Sequence, residues 1–212
     1  MSDLKNKKFY ITTTLPYVNS DPHIGFAMEI IRADIIARYK KLQGYEVFFN
    51  TGTDEHGVKI FRKAEEKGIS AQEYVNEYAN KFKALIPLLG ISNDVVFTRT
   101  TDKNHIKSAQ EFWKVCDKNG FIYKKNYTTN YCVGCELEKS NSELVDGKCS
   151  LHPNLEIEHI EEENYFFKFS IFQNKLMDIY KNNPEFVVPN HRLNEIKSFV
   201  ERGLNDFSIS RL

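Results

Sequence analysis

Among its 212 residues the chain has no apolar run approaching the roughly 20 residues that a bilayer-spanning helix needs. Its first ten residues, MSDLKNKKFY, lack the apolar core of a secretion signal. These absences predict a cytoplasmic protein without a membrane partner. There is no surplus of either charge, with 29 basic against 29 acidic residues. Balanced charge argues against the uniformly basic surface of a nucleic-acid clamp, and no DNA partner is expected, although local contact with RNA stays open. Cysteine is scarce, with four residues, and in a reducing compartment these read as metal ligands or buried thiols rather than disulfides. No internal repeat and no low-complexity linker is found.

What is present fits a folded chain: 41% hydrophobic and 27% charged residues. The first third reads as a β-α-β unit. Phe9–Leu15 is expected to be a buried strand. A helix follows from Ile24, with Ala27, Ile31, Ile35 and Leu42 as its core-facing stripe and Gly44 at its end. The segment EVFFNTG is a second strand, expected to pair parallel with the first. Helices follow over GVKIFRKAEEKG, over the stretch after a Ser70–Glu73 capping box, and from about Asp102 to Asn119. Beyond Gly120 the texture turns to short strands (FIYKKNY, NYCVGC, NLEIEHIE, ENYFFKF). A helix capped by Ser170 and Gln173 and a last helix over RLNEIKSFVERG end the chain. The expected fold class is α/β: a parallel sheet over residues 1–113, then a smaller region of short strands and helices over 114–212.

Ligands of open parallel sheets bind beyond the carboxyl ends of the strands. Two loops fall there, LPYVNSDPHIG and TGTDEHG. The helix near His23 would point N–H groups and a partial positive charge at that space, which suits phosphate. His23 would add a donor, and Gly25, which costs a helix about 1 kcal/mol relative to alanine, would let a flat ring lie against its backbone. The plainer readings are a surface or capping histidine, an incidental glycine and, for Asp54, an ordinary turn aspartate.

The second pattern is CVGCELEKSNSELVDGKCSLH. Cys132 and Cys135 form one pair, Cys149 and His152 another, each with a two-residue gap. Such knuckles complete a tetrahedron around one ion, and four protein ligands leave no open position, which predicts a structural Zn2+. Reduced thiols beside an incidental histidine are the alternative. Cys116 is expected to be a buried core thiol, and His105, His159 and His191 to be surface residues.

PHIGF resembles the HIGH signature of class I aminoacyl-tRNA synthetases. LPYVNSDPHIG, GYEVFFNTGTDEHG, ENYFFKFS and DFSISR, in that order, are together similar to the methionyl-tRNA synthetase family from about Tyr10 to Arg211. The resemblance implies ATP-dependent activation of methionine, with Mg2+ accompanying ATP, and transfer to methionine tRNA. It implies that Leu15, Tyr17 and Asp54 face methionine, with Asp54 on the ammonium group. His23, Gly25, Phe26 and Glu29 would face ATP, and His23 and Arg211 would serve the activation step. Residues 1–113 would be the first half of the family's Rossmann-like nucleotide-binding domain, and 114–212 its small zinc-containing α+β connective-peptide domain.

The sequence departs from the family pattern twice. Phe26 stands where the signature has a second histidine, and a neighbouring donor is expected to compensate for it. No KMSKS-like segment is found, so the chain looks like an N-terminal fragment, expected to be inactive alone. Another class I synthetase is the nearest enzyme rival, disfavoured by GTDEHG and SISR. A zinc-structured module that binds tRNA or a partner without catalysis is the rival from another class.

Overall fold

The computed structural model describes residues 7–210. Contacts divide the chain into two compact units, residues 1–109 and 110–212.

In the first unit, β1 (Lys8–Thr12), β2 (Glu46–Thr53) and β3 (Val96–Arg99) form a parallel sheet in the order β1-β2-β3. Tyr10 lies opposite Phe48, and Asn50 opposite Val96. The parallel pairing of β1 with β2 is as expected. The third strand is too short to have been singled out by alternation. Nor is β1 a buried strand: it ends at Thr12 and its residues alternate between exposed and half-buried, with Tyr10 62% exposed and stacked on Phe48. The cause is its place in the sheet, where it has one strand neighbour among the described residues.

Between β1 and β2 runs α1 (Ile24–Leu42), and α2 (Val58–Lys67) and α3 (Ala71–Leu88) lie between β2 and β3. The stripe expected to face the core does not. Ile35 is 60% and Leu42 87% exposed, and Ile31 is exposed as well. The buried face is Phe26, Ile30, Ala33, Asp34 and Ala37, packed with Val18, Phe49, Ile60, Tyr74 and Phe82. Ser70 and Glu73 form the predicted capping box at the start of α3. Asp34 ties α1 to the α3–β3 connection. It accepts from the backbone N–H and hydroxyl of Ser92 and from Arg38 Nε at 2.7 Å, while Arg38 Nη2 donates to the carbonyl of Gly90. Burial alone would raise its pKa, but these donors outweigh it and hold the carboxyl below its usual range.

α4 (Lys103–Lys118) leads into the second unit. There β4 (Ile122–Cys132) pairs antiparallel with β5 (Leu137–Lys139) and with β8 (Glu158–Phe167), giving the sheet order β5-β4-β8-β9 with β9 (Phe207–Ser208). The short hairpin of β6 (Leu144–Val145) and β7 (Lys148–Cys149) stands apart. α5 (Gln173–Asn182) and α6 (Asn190–Glu201) pack around Tyr180, Leu193 and Val200. Ser170 does not cap α5. Its N–H and hydroxyl both donate to Asp206, at 3.0 and 2.7 Å, because the chain makes a short 3-10 turn before the helix begins. Cys116 is half-buried rather than a core thiol, since α4 buries none of its residues. Among the described residues no helix is long and apolar enough to cross a membrane.

Candidate functional site

The chain leaves β1 and passes beside the end of β2. Asp54 N–H donates to the carbonyl of Pro16 at 2.9 Å, and Val18 N–H donates to that of Asp54 at 3.1 Å, so Tyr17 and Asp54 sit opposite each other as a parallel bridge. From there the chain turns back and enters α1 at His23. A cavity of about 330 Å³ opens here, lined among others by Tyr17, Asp21, His23, Gly25, Phe26 and Glu29. Leu15, half-buried, and Asp54 are not among its lining residues. The structure thus brings five of the candidate residues to one cavity and joins Asp54 to it through the backbone of Tyr17. Arg211 lies outside the described residues.

His23 is the cap of α1. Its Nδ1 accepts from Gly25 N–H at 3.1 Å, and its carbonyl accepts from Phe26 N–H and Ala27 N–H. Nδ1 as acceptor fixes the tautomer of the neutral ring, with the proton on Nε2. The amides of Gly25, Phe26 and Ala27, in the turn expected to meet a phosphate, are therefore engaged with His23 itself. The glycine has a steric cause. A Cβ at position 25 would lie 2.9 Å from His23 Cε1, closer than real Cβ contacts come, and 3.0 Å from Nδ1, so the capping ring would have to move.

Phe26 is 4% exposed, and its ring meets that of Phe82 edge-on at 5.2 Å. It is a core residue whose edge reaches the cavity wall, which is what this position does in place of holding a polar ring. Glu29 is engaged with the end of β1: its two oxygens accept from Thr14 N–H at 2.7 Å and from the Thr14 hydroxyl at 2.8 Å. Glu55, beside Asp54, is buried with its side chain paired to Arg99. Sequence reasoning passed over Arg99, and no local pattern marks a partner 44 residues away.

In the second unit Cys132, Cys135, Cys149 and His152 converge, with one ligand atom from each lying within 4.8 Å of the others. Cys135 Sγ is 3.2 Å from His152 Nδ1 and 3.5 Å from Cys149 Sγ, and Cys132 Sγ is 3.7 Å from the same nitrogen. A tetrahedron built on bonds of about 2.3 Å to sulfur and 2.0 Å to nitrogen has edges of roughly 3.5–3.8 Å, so the donor set fits zinc. The sulfurs are too far apart for a disulfide at about 2.05 Å. His152 lowers the Cys149 thiol to about 6, and burial together with the neighbouring thiols pushes Cys135 up to about 11. Gly134 makes the knuckle possible, because a Cβ there would fall 2.4 Å from His152 Cγ.

Comparisons with known proteins agree along the whole chain. The model of the family described as tRNA synthetases class I (M) matches residues 9–155 and 134–212. The chain is similar to the methionine–tRNA ligase of Thermotoga maritima, 47% identical over 96% of the chain and 33% of that protein. It is 48% identical to that of Thermosynechococcus vestitus, over 96% of the chain and 39% of that protein. Among solved structures it resembles Mycobacterium tuberculosis methionyl-tRNA synthetase in complex with methionyl-adenylate, with a TM-score of 0.90 and 40% identity over 97% of the chain and 41% of that protein. The chain spans between a third and two fifths of the length of these relatives.

Proposed function

The chain belongs to the class I (M) tRNA synthetases, the methionyl-tRNA synthetase family, and on that premise we propose that it serves ATP-dependent joining of methionine to methionine tRNA in the cytoplasm. The observation that carries this reading is the pairing of Tyr17 with Asp54 beside a cavity that His23 also lines. The similar Mycobacterium tuberculosis protein, whose structure is in complex with methionyl-adenylate, supports it.

In this reading residues 1–113 are the first half of the nucleotide-binding domain, and 114–212 are the connective-peptide domain with its zinc knuckle. Asp54 pairs with the α-ammonium of methionine, Tyr17 covers the thioether, and Leu15 adds apolar wall. The methionine carboxylate attacks the α-phosphorus of ATP, whose bond to pyrophosphate breaks. A tRNA 3′ hydroxyl then attacks the carbonyl of the adenylate and releases AMP. Catalysis of this kind rests on positioning and on stabilising phosphate charge. His23 Nε2–H donates to phosphate oxygens, and Arg211 adds charge in the activation step. Gly25 offers a flat backbone to adenine, Phe26 backs the wall behind it, and Glu29 meets the ribose with the lone pairs that Thr14 leaves. Mg2+ enters with ATP. Cys132, Cys135, Cys149 and His152 would hold zinc, which would keep the knuckle closed and, with four protein ligands, leave no open position for a substrate.

Calorimetric titration with methionine, using leucine and isoleucine as controls, tests this. Methionine alone should bind, and Asp54→Asn should weaken it by about 10- to 100-fold, the scale of a lost hydrogen bond to a charged group. Equal affinity for the three amino acids, or none, would favour a zinc-structured module that binds tRNA or a partner without catalysis.

A further inference from the structure

We propose that Glu55 and Arg99 are positioning residues that aim the Asp54 carboxylate at the ammonium group of methionine. The inference rests on the reading of Asp54 given above. Glu55 has a side chain with no exposure and Arg99 one that is a quarter exposed. Arg99 binds the carboxylate in a fork, Nε to Oε1 at 2.7 Å and Nη2 to Oε2 at 2.9 Å. The hydroxyls of Thr53 and Thr101 donate to the same two oxygens, at 2.6 and 2.5 Å. Arg99 Nη2 also donates to Asn76 Oδ1 at 2.7 Å, which extends the clamp from β2 through β3 to α3.

Stability alone does not account for such a cluster. Desolvating a carboxylate and a guanidinium is costly, and apolar residues of similar volume often serve a core as well or better. The cluster does fix direction. Thr53 and Glu55 lie on one side of the extended chain, as their hydrogen bond shows, so the side chain of Asp54 between them points to the other. Both flanks of Asp54 are anchored as well. Glu55 N–H donates to Thr100 Oγ1 at 2.8 Å, and Thr100 N–H donates to the carbonyl of Thr53 at 3.2 Å. With the Asp54 backbone bonded to Pro16 and Val18, turning the backbone at Asp54 requires breaking these bonds and the Glu55 clamp, which fixes the direction in which its side chain leaves the chain. A charge that must meet an ammonium group gains from being held before the ligand arrives.

The test compares methionine with its deamino analogue, a methylthiobutanoate, by calorimetric titration of the 212-residue chain. The unmodified chain should prefer methionine. In Glu55→Gln and Arg99→Gln, methionine should weaken about tenfold while the analogue is unchanged, so the preference collapses; Arg99→Lys should restore part of it. A merely structural role would weaken both ligands alike, and that result, or an unchanged preference, overturns the proposal. If the Gln variants do not fold, Thr101→Val removes a single donor. It should cut the preference by about two- to threefold, scaled to one modest hydrogen bond, and no change there is equally fatal. A chain with no initial preference refutes the role of Asp54 itself and the clamp with it, whereas a preference insensitive to all variants refutes the clamp alone.

Discussion

Two histidines in this chain stand over two glycines, and the pairs make opposite use of the same contact. His23 lies where a Cβ at Gly25 would be, and His152 where one at Gly134 would be. Each ring commits its Nδ1. His23, an exposed residue, accepts a backbone N–H and starts a helix. His152 directs Nδ1 into a cluster of three thiols, two of them buried. The same two residue types therefore start a helix or complete a ligand cluster according to whether the ring nitrogen meets backbone or sulfur.

The largest expected effect separates the two. Chelation of metal from the second unit should remove stabilisation on the order of 10 kcal/mol from the knuckle and abolish its near-ultraviolet circular dichroism, with methionine affinity unchanged. A spectrum unaltered by chelator would mean that the four ligands hold their arrangement without metal. Next is Phe26→Ala, which should cost about 3–5 kcal/mol in urea unfolding as the Phe82 ring loses its neighbour. Phe26→His should likewise destabilise, by about 2 kcal/mol, because it buries an imidazole. A gain in adenylate formation from that variant would instead show that the position lacks a phosphate donor.

The smallest effect concerns Asp34, whose carboxyl is held below its usual range. A depressed folded-state pKa contributes stability above the unfolded value, near 4, and that contribution fades as pH falls through the folded value. Asp34→Asn should therefore cost about 1–3 kcal/mol at pH 7 and progressively less below pH 4, read from urea midpoints across that range. A pH-independent deficit would rule out the Asp34 charge, held by Ser92 and Arg38, as the cause.

The second unit's cluster was legible because its four ligands sit within 21 residues at knuckle spacing, so the pattern is local. The phase of α1 was not. Its sequence carries apolar residues on two faces, Phe26, Ile30, Ala33 and Ala37 on one, Ile24, Met28, Ile31 and Ile35 on the other. Periodicity gives the repeat but cannot say which stripe meets the sheet. At Phe26, comparison with a histidine of the signature left unsaid that an aromatic ring there packs into the core. Glu55 with Arg99 was invisible for a different reason: only the pairing of β2 with β3 brings them together. The crevice could be foreseen, because strand ends and loop sequences are local; the groups that brace it could not.

The position of β2 in its sheet bears on how the crevice breathes. It is hydrogen-bonded along both edges, whereas among the described residues β1 and β3 are each bonded along one. Amide hydrogens from Thr51 to Glu55 should then be among the last in the first unit to exchange with deuterated solvent, and those of the Ser20–His23 lip among the first. The strand end that carries Asp54 would keep its shape through many openings of the Ser20–His23 segment, so one side of the candidate site would stay fixed while the other moves.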